Sequence, residues 1–230
     1  MRPSEVFEGA RREGRSTLTE PESREILKNY KIPLVEGVVV KTFEEADAFA
    51  ERVGYPLVIK VVSRDITHKT DVGGVVLDIK GESELKLKMR QIILNVRDKV
   101  SDAAIGGIFV QRMVQGGTEV IVGGKEDPTF GKVLLFGMGG IYTEVLKDTS
   151  FRVVPISRRD AIEMIEETKA YQMLKGLRGK KAADIDALAD VLVKVSKLLE
   201  ESIEVKELDL NPVFAMPDGA VAVDARIVFE

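Results

Sequence analysis

The run Leu57-Val58-Ile59-Lys60-Val61-Val62 is apolar on both faces except for one lysine. A short continuous apolar run of this kind is read as a strand covered on both sides. A chain carrying it must build a sheet with packed layers around that strand. Its 230 residues suffice for a sizeable core, arranged as one large domain or two lobes. Lys60 either snorkels to solvent at the strand end or meets an anion, because an unpaired buried ammonium is expensive.

Composition narrows the class. Cysteine is absent, which excludes disulfides and thiolate metal sites. The net charge of -4 provides no strong basic field, so a nucleic-acid partner is not expected. The opening MRPSEVFEGARREGRS has no apolar core and is not a secretory signal. The apolar runs fall far short of the roughly 18 residues that a membrane span needs. The expectation is a cytoplasmic chain with no membrane partner. It has a single histidine, so any histidine chemistry must use His68.

Local signals alternate between helix and strand. Pro21 and the acids around it open a helix that Lys31-Ile32-Pro33 ends. Thr42-Phe43-Glu44-Glu45 is a capping box for a helix to about Val53. Strands are expected at 57–62 and 75–79, with an amphipathic helix at 82–99. Strands 107–114 and 118–123 are joined by Gln115-Gly116-Gly117, and an apolar strand follows at 132–138. Ser157 and Asp184 cap two further helices, the second with an apolar stripe through Ile185, Leu188, Leu192, Val195 and Leu199. The last strands, 205–211 and 221–229, turn at Pro217-Asp218-Gly219. The expected class is α+β (mixed α/β), with helices covering one side of each sheet. The expected organisation is an N-terminal arm or helix at 1–20, lobe A at 21–111 and lobe B at 112–230.

Two regions carry chemistry. The loop after Lys60 runs from Ser63 to Gly74 and holds His68, several cations and the pair Gly73-Gly74. Glycines let backbone N–H groups approach a phosphate, although the Walker A spacing is absent. A neutral imidazole is a competent nucleophile toward a phosphoryl group. Asp71 either orients that ring or serves as a turn residue. In Glu207-Leu208-Asp209-Leu210-Asn211-Pro212, the acidic and amide side chains share one face and the leucines take the other. Carboxylate and amide oxygens are what Mg²⁺ accepts. A two-residue turn at Pro217-Asp218 sets Asn211 opposite Asp224. A turn one residue later still leaves both on one face, unless a bulge breaks the parity. A solvated edge hairpin is the alternative reading. Weaker signals are Phe136-Gly137-Met138-Gly139-Gly140-Ile141, Glu119 and Glu144.

These motifs, in this order, resemble the β subunit of ADP-forming acetyl-CoA (acyl-CoA) synthetases. The similarity rests on Lys60, the loop Thr67-His68-Lys69-Thr70-Asp71-Val72-Gly73-Gly74, the segment 124–131, the run 136–140 and Glu207 to Pro212. The resemblance implies an ATP-grasp fold, with ATP held between two lobes. It implies that Lys60, with Gly73 and Gly74, meets the phosphates. Gln111, Arg112, Met113 and Val114 would meet adenine, and Glu119 would lie near the bound nucleotide. Asn211 and Asp224 would hold Mg²⁺, while Asp209 would help hold a phosphohistidine. The implied reaction interconverts acyl-CoA, ADP and phosphate with carboxylate, ATP and CoA. His68 would relay the phosphoryl group to ADP. The implied partner is a CoA-binding α subunit in an α2β2 heterotetramer. A direct ATP-grasp ligase or a nucleotide-sensing module are the competing readings. The first leaves His68 without a role, and loss of Asn211 or Asp224 would mark the second.

Overall fold

The computed structural model describes residues 1–139, 148–176 and 181–230. Gly140, Ile141 and Glu144, named above, lie outside them. The chain divides into two compact units, residues 35–114 and residues 1–34 with 115–230.

The 35–114 unit is a four-stranded antiparallel sheet in the order β1-β4-β2-β3. Its strands are β1 (Gly37–Val40), β2 (Leu57–Ser63), β3 (Val75–Ile79) and β4 (Ile105–Arg112). Helices α3 (Phe43–Val53) and α4 (Glu82–Lys99) supply its apolar cover. Thr42 caps α3 by accepting the Glu45 N–H, and Gly54 ends it at φ 77°, a conformation glycine adopts without a Cβ penalty. Leu57, Ile59 and Val61 of β2 join Phe49, Leu85 and Ile92 in one core. Successive residues of a strand point to opposite faces, so Val58, Lys60 and Val62 take the other face.

The larger unit is a second antiparallel sheet in the order β10-β8-β5-β6-β7, with β9 also paired to β8. Its strands are β5 (Thr118–Asp127), β6 (Gly131–Met138), β7 (Thr149–Val153), β8 (Val205–Met216), β9 (Gly219–Ala222) and β10 (Arg226–Phe229). Helices α5 (Arg158–Glu166), α6 (Ala170–Leu174) and α7 (Ile185–Glu201) accompany it. The Asp184 carboxylate caps α7 by accepting the Ala187 N–H at 2.9 Å. Leu188, Leu192, Val195 and Leu199 of α7 pack with Val122, Leu134, Phe136, Leu208 and Leu210. A Cβ on Gly124 would collide with Leu199, so the glycine permits this close approach of helix and sheet.

Two expectations are corrected. Residues 1–34 group with 115–230, rather than as a separate arm followed by the start of a lobe at residue 21. Helices α1 (Pro3–Arg12) and α2 (Glu20–Asn29) bury Phe7, Ile26 and Leu27 in the core of the larger unit. The Phe7 and Phe229 rings lie 5.2 Å apart there. In addition, β4 and β5 do not pair across Gln115-Gly116-Gly117, because each belongs to a different sheet.

Candidate functional site

In the smaller unit, Lys60 stands at the centre of β2, opposite Phe109 on β4 and Val75 on β3, and is 4% exposed. Gln111 lies on the same face, opposite Val58 and Gly37. It is 2% exposed, and its side-chain carbonyl has no hydrogen-bond partner among the described residues. Beyond it, the Arg112 N–H donates to Glu36 O and the Met113 N–H to Pro56 O, which ties the strand end to the sheet. Val114 is the last residue of this unit.

His68 is exposed in the loop between β2 and β3. The Gly73 N–H donates to Thr70 O at 3.0 Å and the Gly74 N–H to Lys69 O at 2.7 Å. The expected phosphate cradle is therefore corrected. Both glycine amides are spent closing the turn, and Gly73 is present because the turn needs φ 65°. A Cβ on Gly74 would come within 2.6 Å of Val61 Cγ1 and 2.9 Å of Lys69 O. The glycines thus shape the loop that carries His68. The Asp71 carbonyl accepts from Lys99 Nζ at 2.6 Å. No hydrogen bond links Asp71 to His68 among the described residues.

In the larger unit, β8 carries Glu207, Asp209 and Asn211 on the sheet face away from the core, while Leu208 and Leu210 point into it. The Pro217-Asp218 turn has the two-residue register, with Met216 opposite Gly219 and Val213 opposite Ala222. The same register resumes at β10, where Asp209 faces Arg226 and Leu208 faces Ile227. Asn211 and Asp224 lie in the interval between these pairs. A bulge does occur here, at the cis Asn211-Pro212 bond, and the ladder to β5 shifts between Val120 and Val122. The return strand breaks at the same level, so its inward residues change from Ala220 and Ala222 to Ala225, Ile227 and Phe229. Both chains switch parity in the interval that holds Asn211 and Asp224.

Charge is unevenly distributed on this face. Burial is the main influence raising the Asp209 carboxyl above its ordinary value; Glu207 and Asp224 add to it and Arg226 opposes it. Arg226 Nη1 donates to Glu207 at 3.4 Å. A cavity of about 630 Å³ opens beside Glu207, Asp209 and Asn211, with Val133, Leu135, Phe130 and Phe151 as its apolar wall. That volume suits a nucleotide-sized ligand. Glu119 is exposed at the start of β5, and its carbonyl accepts the Gly139 N–H at 2.9 Å. Among the described residues, no three His, Asp or Glu side chains form a metal cage. One amide and one carboxylate fit an ion that takes its remaining ligands from water and phosphate, which is the habit of Mg²⁺.

Arg24 on α2 was not singled out from the sequence. It is 4% exposed and lies 3.7 Å from Glu20, which is itself 6% exposed. Burial lowers the Arg24 guanidinium from its ordinary value, while the charges of Glu20 and Asp224 raise it. Its only sequence signal is an arginine on the apolar side of a capped helix.

A model of the ATP-grasp domain family matches residues 9–229. The chain belongs to the ATP-grasp family. Within that family it is 50% identical over 224 residues to the β subunit of ADP-forming acetate–CoA ligase I of Pyrococcus furiosus, covering 97% of this chain and 96% of that one. It is 51% identical over 203 residues to the ADP-forming acetate–CoA ligase I of Archaeoglobus fulgidus, covering 88% of this ATP-grasp chain and 30% of the longer relative. Among solved structures, it resembles the dinucleotide-forming acetyl-coenzyme A synthetase 1 of Ca. Korarchaeum cryptofilum, in complex with coenzyme A and Ca-AMPCP. The TM-score is 0.94 at 42% identity, over 98% of this chain and 99% of that one. Another state of that enzyme holds Mg-AMPPCP, with a phosphohistidine segment pointing towards the nucleotide-binding site; it matches at TM-score 0.86 and 38% identity, over 99% of this chain and 100% of that one.

Proposed function

We propose that this chain is the nucleotide-binding β subunit of an ADP-forming acyl-CoA ligase. It serves the reversible reaction of acyl-CoA, ADP and phosphate to carboxylate, ATP and CoA. The observation that carries this reading is the acidic row of β8, where Glu207, Asp209 and Asn211 line one cavity. The placement of the acid-rich strand beside a nucleotide-sized cavity supports a role in phosphoryl transfer.

Each residue has an assigned part. Lys60 holds nucleotide phosphates, and its near-complete burial supports a paired rather than a solvated ammonium. Gln111, Arg112, Met113 and Val114 bind the base, and Glu119 approaches the nucleotide. Asn211 and Asp224 hold Mg²⁺, which when bound neutralises phosphate charge. Asp209 accepts a hydrogen bond from an imidazole N–H of a phosphohistidine and so orients it. His68 takes a phosphoryl group on its unprotonated ring nitrogen from a phosphohistidine of the α partner, whose own nitrogen–phosphorus bond breaks as the new one forms. That group then passes to ADP: the nitrogen–phosphorus bond breaks and a bond to the β-phosphate oxygen forms. The exposed position of His68 on a shaped loop supports a residue that meets a partner. The partner is a CoA-binding α subunit, assembled as α2β2. Among the described residues no helix is long and apolar enough to cross a membrane. We assign the chain to the cytoplasm.

The test is reconstitution. The chain, mixed with its α partner, should form ATP from acetyl-CoA, ADP and phosphate in the presence of Mg²⁺, as read by luciferase. Neither chain should do so alone. ATP formation by this chain alone, or none by the assembled pair, would contradict the proposal.

A further inference from the structure

The loop between β2 and β3 is fastened on both sides of His68, within the 35–114 unit. Before the histidine, Asp65 Oδ2 accepts the Ala104 N–H at 2.6 Å, which ties the loop to the turn between α4 and β4. After it, Lys99 Nζ, on the last residue of α4, donates to Asp71 O at 2.6 Å. One helical turn earlier, Asn95 lies against Gly73, where an added Cβ would stand 3.3 Å from Asn95 Cβ and Nδ2. Ile66 and Val72 pack against the core of the same unit. His68 stands midway between Asp65 and Asp71 in the chain and is exposed.

The glycine turn shapes this loop, but a shape alone does not fix its place on the unit. An exposed segment must be ordered before its tip can act, and backbone order is entropically costly. A carboxylate on a backbone N–H and an ammonium on a backbone carbonyl are charge-assisted bonds, stronger than neutral ones. A lysine in the last turn of a helix complements the helix dipole wherever its ammonium lies; here it also reaches the loop. Phosphoryl transfer depends mainly on positioning and electrostatics, and a small displacement of the reacting atom is costly. Given the relay role assigned to His68 above, on which this rests, we propose that Asp65 and Lys99 are positioning residues for His68. They fix the loop on both sides of the imidazole, so that its phosphoryl group is delivered at one reach.

The test uses the chain reconstituted with its α partner, forming ATP from acetyl-CoA, ADP and phosphate over an ADP series. Asp65→Ala and Lys99→Met should each lower kcat about tenfold, and together about 100-fold, with KM for ADP unchanged. Asp65→Asn keeps an oxygen for the Ala104 N–H and Lys99→Arg keeps a cationic donor, so both should stay near wild type. Asp65 and Lys99 are exposed, so the variants should fold, which thermal unfolding checks. A second readout separates position from reactivity. Phosphoramidate, a small phosphoryl donor, should label the single histidine at the wild-type rate in every anchor variant. Wild-type kcat in folded Asp65→Ala and Lys99→Met, or in their double variant, overturns the inference. So does a loss of kcat matched by slower phosphoramidate labelling, which would place the effect in the imidazole itself. His68→Ala separates the two levels. If it abolishes ATP formation while the anchor variants run at the wild-type rate, only this inference fails. If it leaves ATP formation intact, the relay reading fails and this inference with it.

Discussion

Arg226 stands directly opposite Asp209 across the β8–β10 ladder, and its guanidinium reaches Glu207 at 3.4 Å. This arginine is a cation set directly into an acidic row. Replacing it with methionine leaves Glu207, Asp209 and Asp224 to repel one another. Both ends of the Arg226–Glu207 pair are part exposed, so the expected loss of stability is only about 1 kcal/mol. The loss should shrink at high salt, which screens the repulsion. Urea unfolding at low and high salt checks this, and a loss independent of salt would contradict it.

The loop of His68 depends on Gly74. An alanine there meets Val61 Cγ1 and the Lys69 carbonyl at distances that real Cβ atoms do not adopt. Gly74→Ala should destabilise the chain by about 1–3 kcal/mol through overpacking. It should also displace the loop, lowering phosphoryl transfer while leaving nucleotide affinity near wild type. Denaturation and calorimetric titration with ADP measure the two effects.

Much of this arrangement is legible in the sequence, and the reasons are physical. Thr42, Ser157 and Asp184 sit at helix starts because their side chains can satisfy orphan N–H groups, and all three cap as expected. Alternation placed Asp209 and Asn211 away from Leu208 and Leu210. The Pro217-Asp218 turn set the two-residue register that pairs Met216 with Gly219 and Val213 with Ala222. Sheet membership was not legible. Gln115-Gly116-Gly117 looks like a hairpin turn, yet it joins strands of separate sheets, because pairing is decided by partners far along the chain. The role of Gly73 and Gly74 was misread for a related reason: a glycine pair that could offer amides to a phosphate can equally spend them on its own turn. Arg24 gave no motif, since its burial depends on how α2 packs into the larger unit.

The start of α2 should respond to acid. Arg15 holds Glu22 with two hydrogen bonds of 2.7 and 2.8 Å. Burial alone would raise the Glu22 carboxyl, but Arg15 and Thr19 outweigh it and hold the group below its ordinary 4.5. A depressed carboxyl stabilises the fold above its unfolded value, and that stability is lost as pH falls through the folded value. Glu22→Gln should therefore cost about 1–2 kcal/mol at neutral pH. The difference from wild type should fade as pH drops below the ordinary 4.5. Thermal unfolding across that window checks the sign.

Loss of either proposed metal ligand should act on the chemistry. Asn211→Ala or Asp224→Asn should slow ATP formation by about 100-fold or more, because electrostatic positioning dominates phosphoryl transfer. Raised Mg²⁺ should restore part of the rate. Lys60→Met should also slow it but gain nothing from extra Mg²⁺. Steady-state rates over a Mg²⁺ series with the reconstituted pair distinguish the variants.

The central claim is that His68 carries the phosphoryl group between partner and nucleotide. The most direct test incubates the chain with Mg²⁺ and ATP labelled at the γ-phosphate, with and without the α partner, then maps label retained on protein. The account predicts acid-labile label on the peptide containing His68, absent in His68→Ala. A chain that binds ATP yet retains no label under either condition would contradict it.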